Sequence, residues 1–225
     1  MKIGIIGAID TEIALYLENM KINTKSEYIK RTFYEGTFNG KDIVISASGM
    51  GKVNAAATAQ AMISKYKADC IIVSGVAGGM DKSLHIGDTV IADKVYYHDL
   101  DLFLFEDHPK VKDGCFLPDK KLVNILENAS PKEYKGKIVT GTAVTGDAFI
   151  ETDGREEINA KFSPMCTDME TAAIAHICFV YDIPFAAVRS ISDTEDESGF
   201  DTFEVNCKKA ARSSYLVVES IIEKL

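Results

Sequence analysis

The chain has no tryptophan, only five prolines and no long uninterrupted apolar run. The last absence excludes a membrane-spanning helix, which needs about 20 consecutive apolar residues. Its five cysteines, Cys70, Cys115, Cys166, Cys178 and Cys207, are odd in number, scattered and never spaced C-x-x-C. That argues against a disulfide framework and a zinc site, and most of them lie in apolar runs where reduced cysteine acts as a small hydrophobe. Positive charge is scarce too: 25 Lys and Arg face 34 Asp and Glu, for a formal net charge of −9. Without a long basic run, the chain is a poor candidate for binding nucleic acid or an anionic membrane surface. The phosphate-binding loop G-x-x-x-x-G-K-[ST] and the serine-hydrolase elbow G-x-S-x-G are both missing.

What is present is 225 residues, 46% of them hydrophobic. That suffices for a sizeable core in one domain, 1–225, and is too apolar for disorder. The first apolar run, in MKIGIIGAIDTE, is too short for a signal-peptide core and is followed at once by acids, so a cytoplasmic protein is expected. Periodicity and Gly/Pro punctuation predict strands at 2–6, 33–38, 42–47, 70–74, 88–97, 137–144 and 185–191. Helices are predicted at 11–19, with Asp10 as N-cap, and at 52–66, 120–128, 171–181 and 201–224. Asn39-Gly40 is the strongest hairpin signal, and Gly75-Val76-Ala77-Gly78-Gly79 reads as a turn closing a strand. The alternation predicts an α/β domain with helices covering a mostly buried sheet.

Local motifs narrow the chemistry without naming it. Gly49-Met50-Gly51 lies between a strand and a helix, but the third glycine of a dinucleotide fingerprint is Asn54 here and the motif is not in the first βα unit. His98, Asp99 and Asp101 lack further ligands for a metal, and His176 lies within a helical pattern, so no metal and no cofactor are expected. The carboxylates say more. Glu12, Glu170 and Asp193 each follow an apolar strand, where ligands of α/β sheets collect. They can supply a general base, a hydroxyl-binding group and a general acid. Singly, Glu12 and Glu170 also suit the first turn of a helix, where negative charge favours the dipole; together the three point to a site.

The ordered segments MKIGIIGAIDTE (1–12), SGMGKVNAA (48–56), GVAGG (75–79), IGDTVIADKVYYHDLD (86–101), TGDAFI (145–150), DMETAAIAH (168–176) and PFAAVRSISD (184–193) resemble one family. It is the 5′-methylthioadenosine/S-adenosylhomocysteine nucleosidases, within the nucleoside phosphorylase superfamily, and the resemblance spans the whole chain. It implies a three-layer α/β/α sandwich with a twisted mixed sheet, a homodimer, and cofactor-free hydrolysis of an N-glycosidic bond that releases adenine and a 5-thio-substituted ribose. It also implies that Asp193 protonates adenine N7, Glu12 activates the attacking water, Glu170 grips the ribose hydroxyls and Arg189 orients water and glutamates. Phe149 and the Ile150 backbone match the adenine-binding turn, Ser192 the support of Asp193, and Met169 the floor under the ribose. Phe203 and Phe105 match the lining of the 5′-thio pocket, Phe105 from across the dimer.

Some positions depart from the family pattern. Val76, ahead of Ala77 and Gly78, replaces a serine; Asp168 replaces a glutamate; and Ile9 and Met50 exchange size at the apolar pocket. The segment LDLFLFEDHPKVKDGCFLPDK, 100–120, expected near the partner's site, is shorter than the family loop. Alternatives are a purine nucleoside phosphorylase, a hydrolase of another 5′-modified nucleoside such as aminofutalosine, and a nucleoside-binding protein. A phosphorylase needs basic donors around its phosphate; Lys30 and Arg31 are near an early strand, while acidic Glu12 would repel the anion.

Overall fold

The structure is a computed structural model that describes residues 1–106, 111–151, 153–196 and 200–225, with backbone alone at 200–202. The first apolar run forms β1 (Lys2–Gly7), followed by α1 (Asp10–Asn19). An antiparallel meander follows: β2 (Lys21–Tyr28), β3 (Arg31–Phe38) and β4 (Lys41–Ala47). Asn39 and Gly40 both have positive φ, 45° and 77°, as a two-residue hairpin turn matched to strand twist requires. Then come α2 (Lys52–Ser64), β5 (Cys70–Gly79), β6 (Thr89–Tyr97), α3 (Lys120–Glu127), β7 (Ile138–Thr145) and α4 (Arg155–Phe162). β8 (Cys166–Asp168), α5 (Thr171–Val180), β9 (Phe185–Asp193) and α6 (Phe200–Glu219) complete the order.

The strands form one mixed sheet in the order β2-β3-β4-β1-β5-β8-β7-β6-β9. β9 pairs with β5 in parallel and with β6 antiparallel. The strands β5, β8, β7, β6 and β9 therefore close on themselves, while β1 to β4 extend from this ring as an open sheet. Alternation along the buried strands feeds two cores. Ile3, Ile5 and Ile72 meet Ile13 and Tyr16 of α1, Leu122 of α3 and Tyr215 of α6. Ile6, Ile71 and Val73 turn the other way, to Ala55, Ala59 and Met62 of α2 and Ala172 and Ile174 of α5. Helices thus cover both faces, as strands apolar on both sides require. No helix of the described residues is long and apolar enough to cross a membrane.

Several expectations need correction. The N-cap of α1 is Ile9, not Asp10, because the Glu12 carboxylate reaches back to the Ile9 N–H and supplies the cap from within the helix. The glycine run 75–79 is not a turn: it continues β5, paired through Gly78 with both β8 and β9. β2 carries no buried residue and α4 only Arg155 and Ile158, so neither shows a periodic apolar pattern in the sequence. The last helix ends at Glu219 rather than 224, with a 3₁₀ turn at Ile222–Lys224.

A buried hydroxyl chain joins three elements: Tyr16 Oη and Ser74 Oγ are 2.8 Å apart, and Ser74 Oγ and Ser214 Oγ 2.7 Å. Tyr16→Phe keeps the ring packing against Tyr215 and removes one link. It is expected to lower stability by about 1 kcal/mol, measured by urea unfolding.

Candidate active site

Segments at the C-terminal ends of β1, β4, β5, β7, β8 and β9 converge on a cavity of about 650 Å³, partly open to solvent. Its concave, mostly apolar lining with a few converging carboxylates suits a small molecule. Ala8, Ile9 and Glu12 come from the β1–α1 connection, Met50 from the loop after β4, and Val76, Ala77 and Gly78 from β5. Ala148, Phe149 and Ile150 follow β7, Thr167, Asp168, Met169 and Glu170 surround the end of β8, and Ser192 and Asp193 end β9, with Phe203 of α6 closing one side.

Behind the wall lies Arg189, its side chain 1% exposed. Its Nε is 2.8 Å from Asp168 Oδ2 and 2.9 Å from Thr171 Oγ1, Nη2 is 3.4 Å from Glu170 Oε2, and Nη1 is 3.8 Å from Glu12 Oε1. Three carboxylates thus share one cation. Burial alone would lower the Arg189 pKa, but Asp168, Glu170 and Glu12 outweigh it and raise it. The room for this cluster comes from Gly75, the register partner of Arg189 on β5. A Cβ at Gly75 would lie 2.6 Å from Arg189 Nη1 and closer still to Glu12.

Glu12 is fixed by backbone donors. Its Oε2 accepts from the N–H groups of Ala8 and Ile9, and its Oε1 from Val76 N–H at 2.7 Å. Burial raises its pKa despite Arg189 and those three donors, which all favour the charged form. Glu170 accepts from Gly51 N–H at 2.9 Å, and burial pushes its pKa up to about 7 against the pull of Arg189. Asp168 is the most heavily engaged. Oδ1 accepts from Thr145 Oγ1 at 2.6 Å and from the Glu170 and Thr171 N–H groups at 3.0 Å, and Oδ2 from the Thr171 hydroxyl. It therefore caps α5 and holds Arg189, with little capacity left for a ligand.

Asp193 stands apart from this cluster. Its Oδ1 accepts from Ser192 Oγ at 2.7 Å, and burial raises its pKa, opposed by the Ser192 hydroxyl and the Arg155 charge and reinforced by Glu151. Arg155 gave no sign of a role in the sequence. It is buried, donating from Nε to Glu151 O at 2.9 Å and from Nη1 to Gly79 O at 2.7 Å. It thereby ties the loop bearing Phe149 and Ile150 to the end of β5. A second pin is Lys52: its N–H donates to Asp147 Oδ1 at 2.9 Å, and its Nζ is 2.7 Å from Asp99 Oδ2. Asp99, weighed above as a metal ligand, is thus half of an ion pair, and among the described residues no group of three His, Cys, Asp or Glu is placed to hold a metal.

The sequence-derived residues fall into three groups. Glu12, Glu170, Asp193, Ile9, Met50, Val76, Ala77, Gly78, Phe149, Ile150, Asp168, Met169, Ser192 and Phe203 line the cavity, and Arg189 backs it. Val76 contributes its backbone to the site, while its side chain packs on Cys207, Ala210 and Ala211 of α6. Phe105 does not belong to the cavity. It is 7% exposed and packs against Tyr97, Phe116 and His176 at centroid distances of 5.8–6.3 Å. Within its own chain the ring is thus part of an aromatic cluster, and Leu102, Phe103 and Leu104 beside it are half or more exposed. Of the 100–120 loop, residues 107–110 lie outside the described residues. Thr171, Gly75 and the Gly51 N–H were not anticipated, and only the spacing of Thr171 three residues after Asp168 hinted at a capping partner.

The Glu170 proton has a consequence for stability. The folded state holds it up to about 7, whereas an unfolded glutamate titrates near 4.5. Between these values the folded chain binds more protons, so this contribution to stability is full at low pH and lost as pH rises through about 7. Glu170→Gln is expected to flatten that decline, read from urea unfolding on either side of the window.

Comparison with known proteins places this geometry. The profile of the phosphorylase superfamily matches residues 2–223. A 5′-methylthioadenosine/S-adenosylhomocysteine nucleosidase of Haemophilus influenzae (strain 86-028NP) is 36% identical over 230 residues, covering 100% of both chains. The structure of a nucleosidase of that name from Colwellia psychrerythraea 34H, in complex with adenine, superposes with a TM-score of 0.92 at 34% identity, covering 100% of this chain and 96% of that one. A futalosine hydrolase from Helicobacter pylori strain 26695 superposes with a TM-score of 0.90 at 28% identity, covering 100% and 98%. The chain belongs to the phosphorylase superfamily and, within it, to the 5′-methylthioadenosine/S-adenosylhomocysteine nucleosidase family.

Proposed function

We propose that this chain hydrolyses the N-glycosidic bond of 5′-methylthioadenosine and S-adenosylhomocysteine, releasing adenine and a 5-thio-substituted ribose. In this reading the purine stacks on Phe149 with N7 toward Asp193 and hydrogen-bonds the Ile150 backbone. The ribose lies over Met169 with its hydroxyls on Glu170, and the thioether leaves between Ile9, Met50 and Phe203. As the C1′–N9 bond breaks, its electron pair passes to the purine and the protonated carboxyl of Asp193 delivers a proton to N7. Water adds its oxygen to C1′ and gives a proton to Glu12. The raised pKa of Asp193 suits an acid and that of Glu12 a base working nearer neutrality. The carboxylates around Arg189 favour the cationic, oxocarbenium-like ring.

The observation that carries hydrolysis over phosphorolysis is the state of the cations. No Lys or Arg is among the described residues lining the cavity. The single guanidinium behind it is already engaged by Asp168, Glu170 and Glu12, so an incoming phosphate would meet carboxylates instead of donors. We also infer a single domain, a homodimer and a cytoplasmic location. Supporting these are the one continuous sheet, the exposed Leu102, Phe103 and Leu104, and five cysteines without a disulfide.

The test is chromatographic, with and without phosphate, on 5′-methylthioadenosine, S-adenosylhomocysteine, adenosine, inosine and aminofutalosine. Adenine and free 5-methylthioribose, formed at a rate independent of phosphate, are the expected products. A ribose 1-phosphate product would make the protein a phosphorylase, cleavage of aminofutalosine alone would move its specificity, and binding without cleavage would leave a nucleoside-binding protein. Asp193→Asn is expected to lower kcat by roughly 10²–10⁴-fold while adenine still binds.

A further inference from the structure

A second cavity opens beside the first, with about 1120 Å³ of empty space and a wide mouth. The two share Ala8 and Ile9, and Gly49 of the second immediately precedes Met50 of the first in sequence. A group leaving the first cavity between Ile9 and Met50 therefore enters the second. Its chemistry is different. Asp10, Lys30 and Arg31 line it, and none of the three has an ion-pair partner among the described residues.

Arg31 is held in place without being neutralised. Ile29 and Lys30, both at positive φ (48° and 58°), form the tight turn between β2 and β3 and pair Tyr28 with Arg31. The guanidinium lies against Gly49, where an added Cβ would be 2.8 Å from its central carbon. Its Nη2 donates to Asn54 Oδ1 at 3.1 Å, a neutral acceptor that leaves the charge and the remaining donors for a ligand. Two cations and one carboxylate in one groove match the two charges of an α-amino acid.

We propose that this groove receives a zwitterionic α-amino-acid group at the far end of the 5′ substituent, with Arg31 and Lys30 on its carboxylate and Asp10 on its ammonium. The proposal rests on the nucleosidase reading and sharpens it. S-adenosylhomocysteine carries such a group two methylenes beyond the sulfur, whereas 5′-methylthioadenosine stops at a methyl. The groove thus separates the two substrates, and the catalytic cluster treats them alike.

The experiment compares kcat/KM for both substrates in the wild type, Arg31→Met, Arg31→Lys and Asp10→Asn. Arg31→Met keeps the aliphatic stem on Gly49 and removes the charge. Its kcat/KM for S-adenosylhomocysteine is expected to fall roughly ten- to hundredfold, the size of a lost charge-assisted hydrogen bond. The fall should sit in KM, as for a contact remote from the chemistry, with the methylthioadenosine value changed less than about twofold. Arg31→Lys restores part of the loss, Asp10→Asn shows a smaller selective fall, and added salt narrows the gap between wild type and Arg31→Met. An unchanged ratio of the two substrates in Arg31→Met overturns the proposal, as does a wild type that cleaves methylthioadenosine alone. A wild type that cleaves neither overturns the nucleosidase reading on which the proposal depends.

Discussion

Arg189 is a cation almost wholly removed from water, and it is tolerated because Asp168, Glu170 and Glu12 converge on it from three different elements. Dehydrating these ions costs several kcal/mol each, and only good geometry and further hydrogen bonds offset that cost. The fold supplies both. Asp168 is anchored at the start of α5 and by Thr145, Glu170 by Gly51 N–H, and Glu12 by three N–H groups at the start of α1. The glycine opposite Arg189 on β5 leaves the space in which they meet. The positions of the catalytic candidates follow from satisfying one buried charge.

The same cluster explains why the pocket suits a reaction that passes through a sugar cation. With three carboxylates to one guanidinium, full ionisation leaves surplus negative charge in a site with little water. Burial answers by raising the pKa values of Glu12 and Glu170. A cationic ribose would relieve that strain, so the site favours the transition state over the neutral substrate. Asp193 sits in a different environment. It faces a neutral hydroxyl at contact distance and the Arg155 charge only from farther off, so burial dominates and its pKa lies above that of an ordinary aspartate. The two ends of one cavity thus give their carboxyl groups different environments, the arrangement that the proposed division into base and acid calls for.

Much of this was legible in the sequence because the site lies at the ends of strongly patterned strands. Ile-rich β1, the Asn39-Gly40 hairpin and the apolar β9 announced themselves by local chemistry, and Glu12, Glu170 and Asp193 could be placed at strand ends. The misses share a physical cause: they depend on contacts distant in sequence. Polar β2 is a strand because β3 pairs with it, and α4 is held by Arg155 reaching β5. The glycine run 75–79 looks like a turn by composition, yet β8 and β9 provide partners that keep it extended. The aromatic cluster of Phe105 with Tyr97, Phe116 and His176 was likewise invisible in the sequence, because its members come from separate segments.

The forked guanidinium of Arg189, and not merely its charge, organises the sugar end of the site. Arg189→Lys keeps the charge and loses the fork, so it cannot reach Asp168, Glu170 and Glu12 together. Its turnover of 5′-methylthioadenosine and its affinity for adenine should be measured on the same preparation. A loss of kcat of about a hundredfold or more is expected, the scale of a misplaced catalytic group, with adenine affinity nearly unchanged because Phe149, Ile150 and Asp193 stand apart from the cluster. Near-normal turnover by Arg189→Lys would contradict this role of the fork.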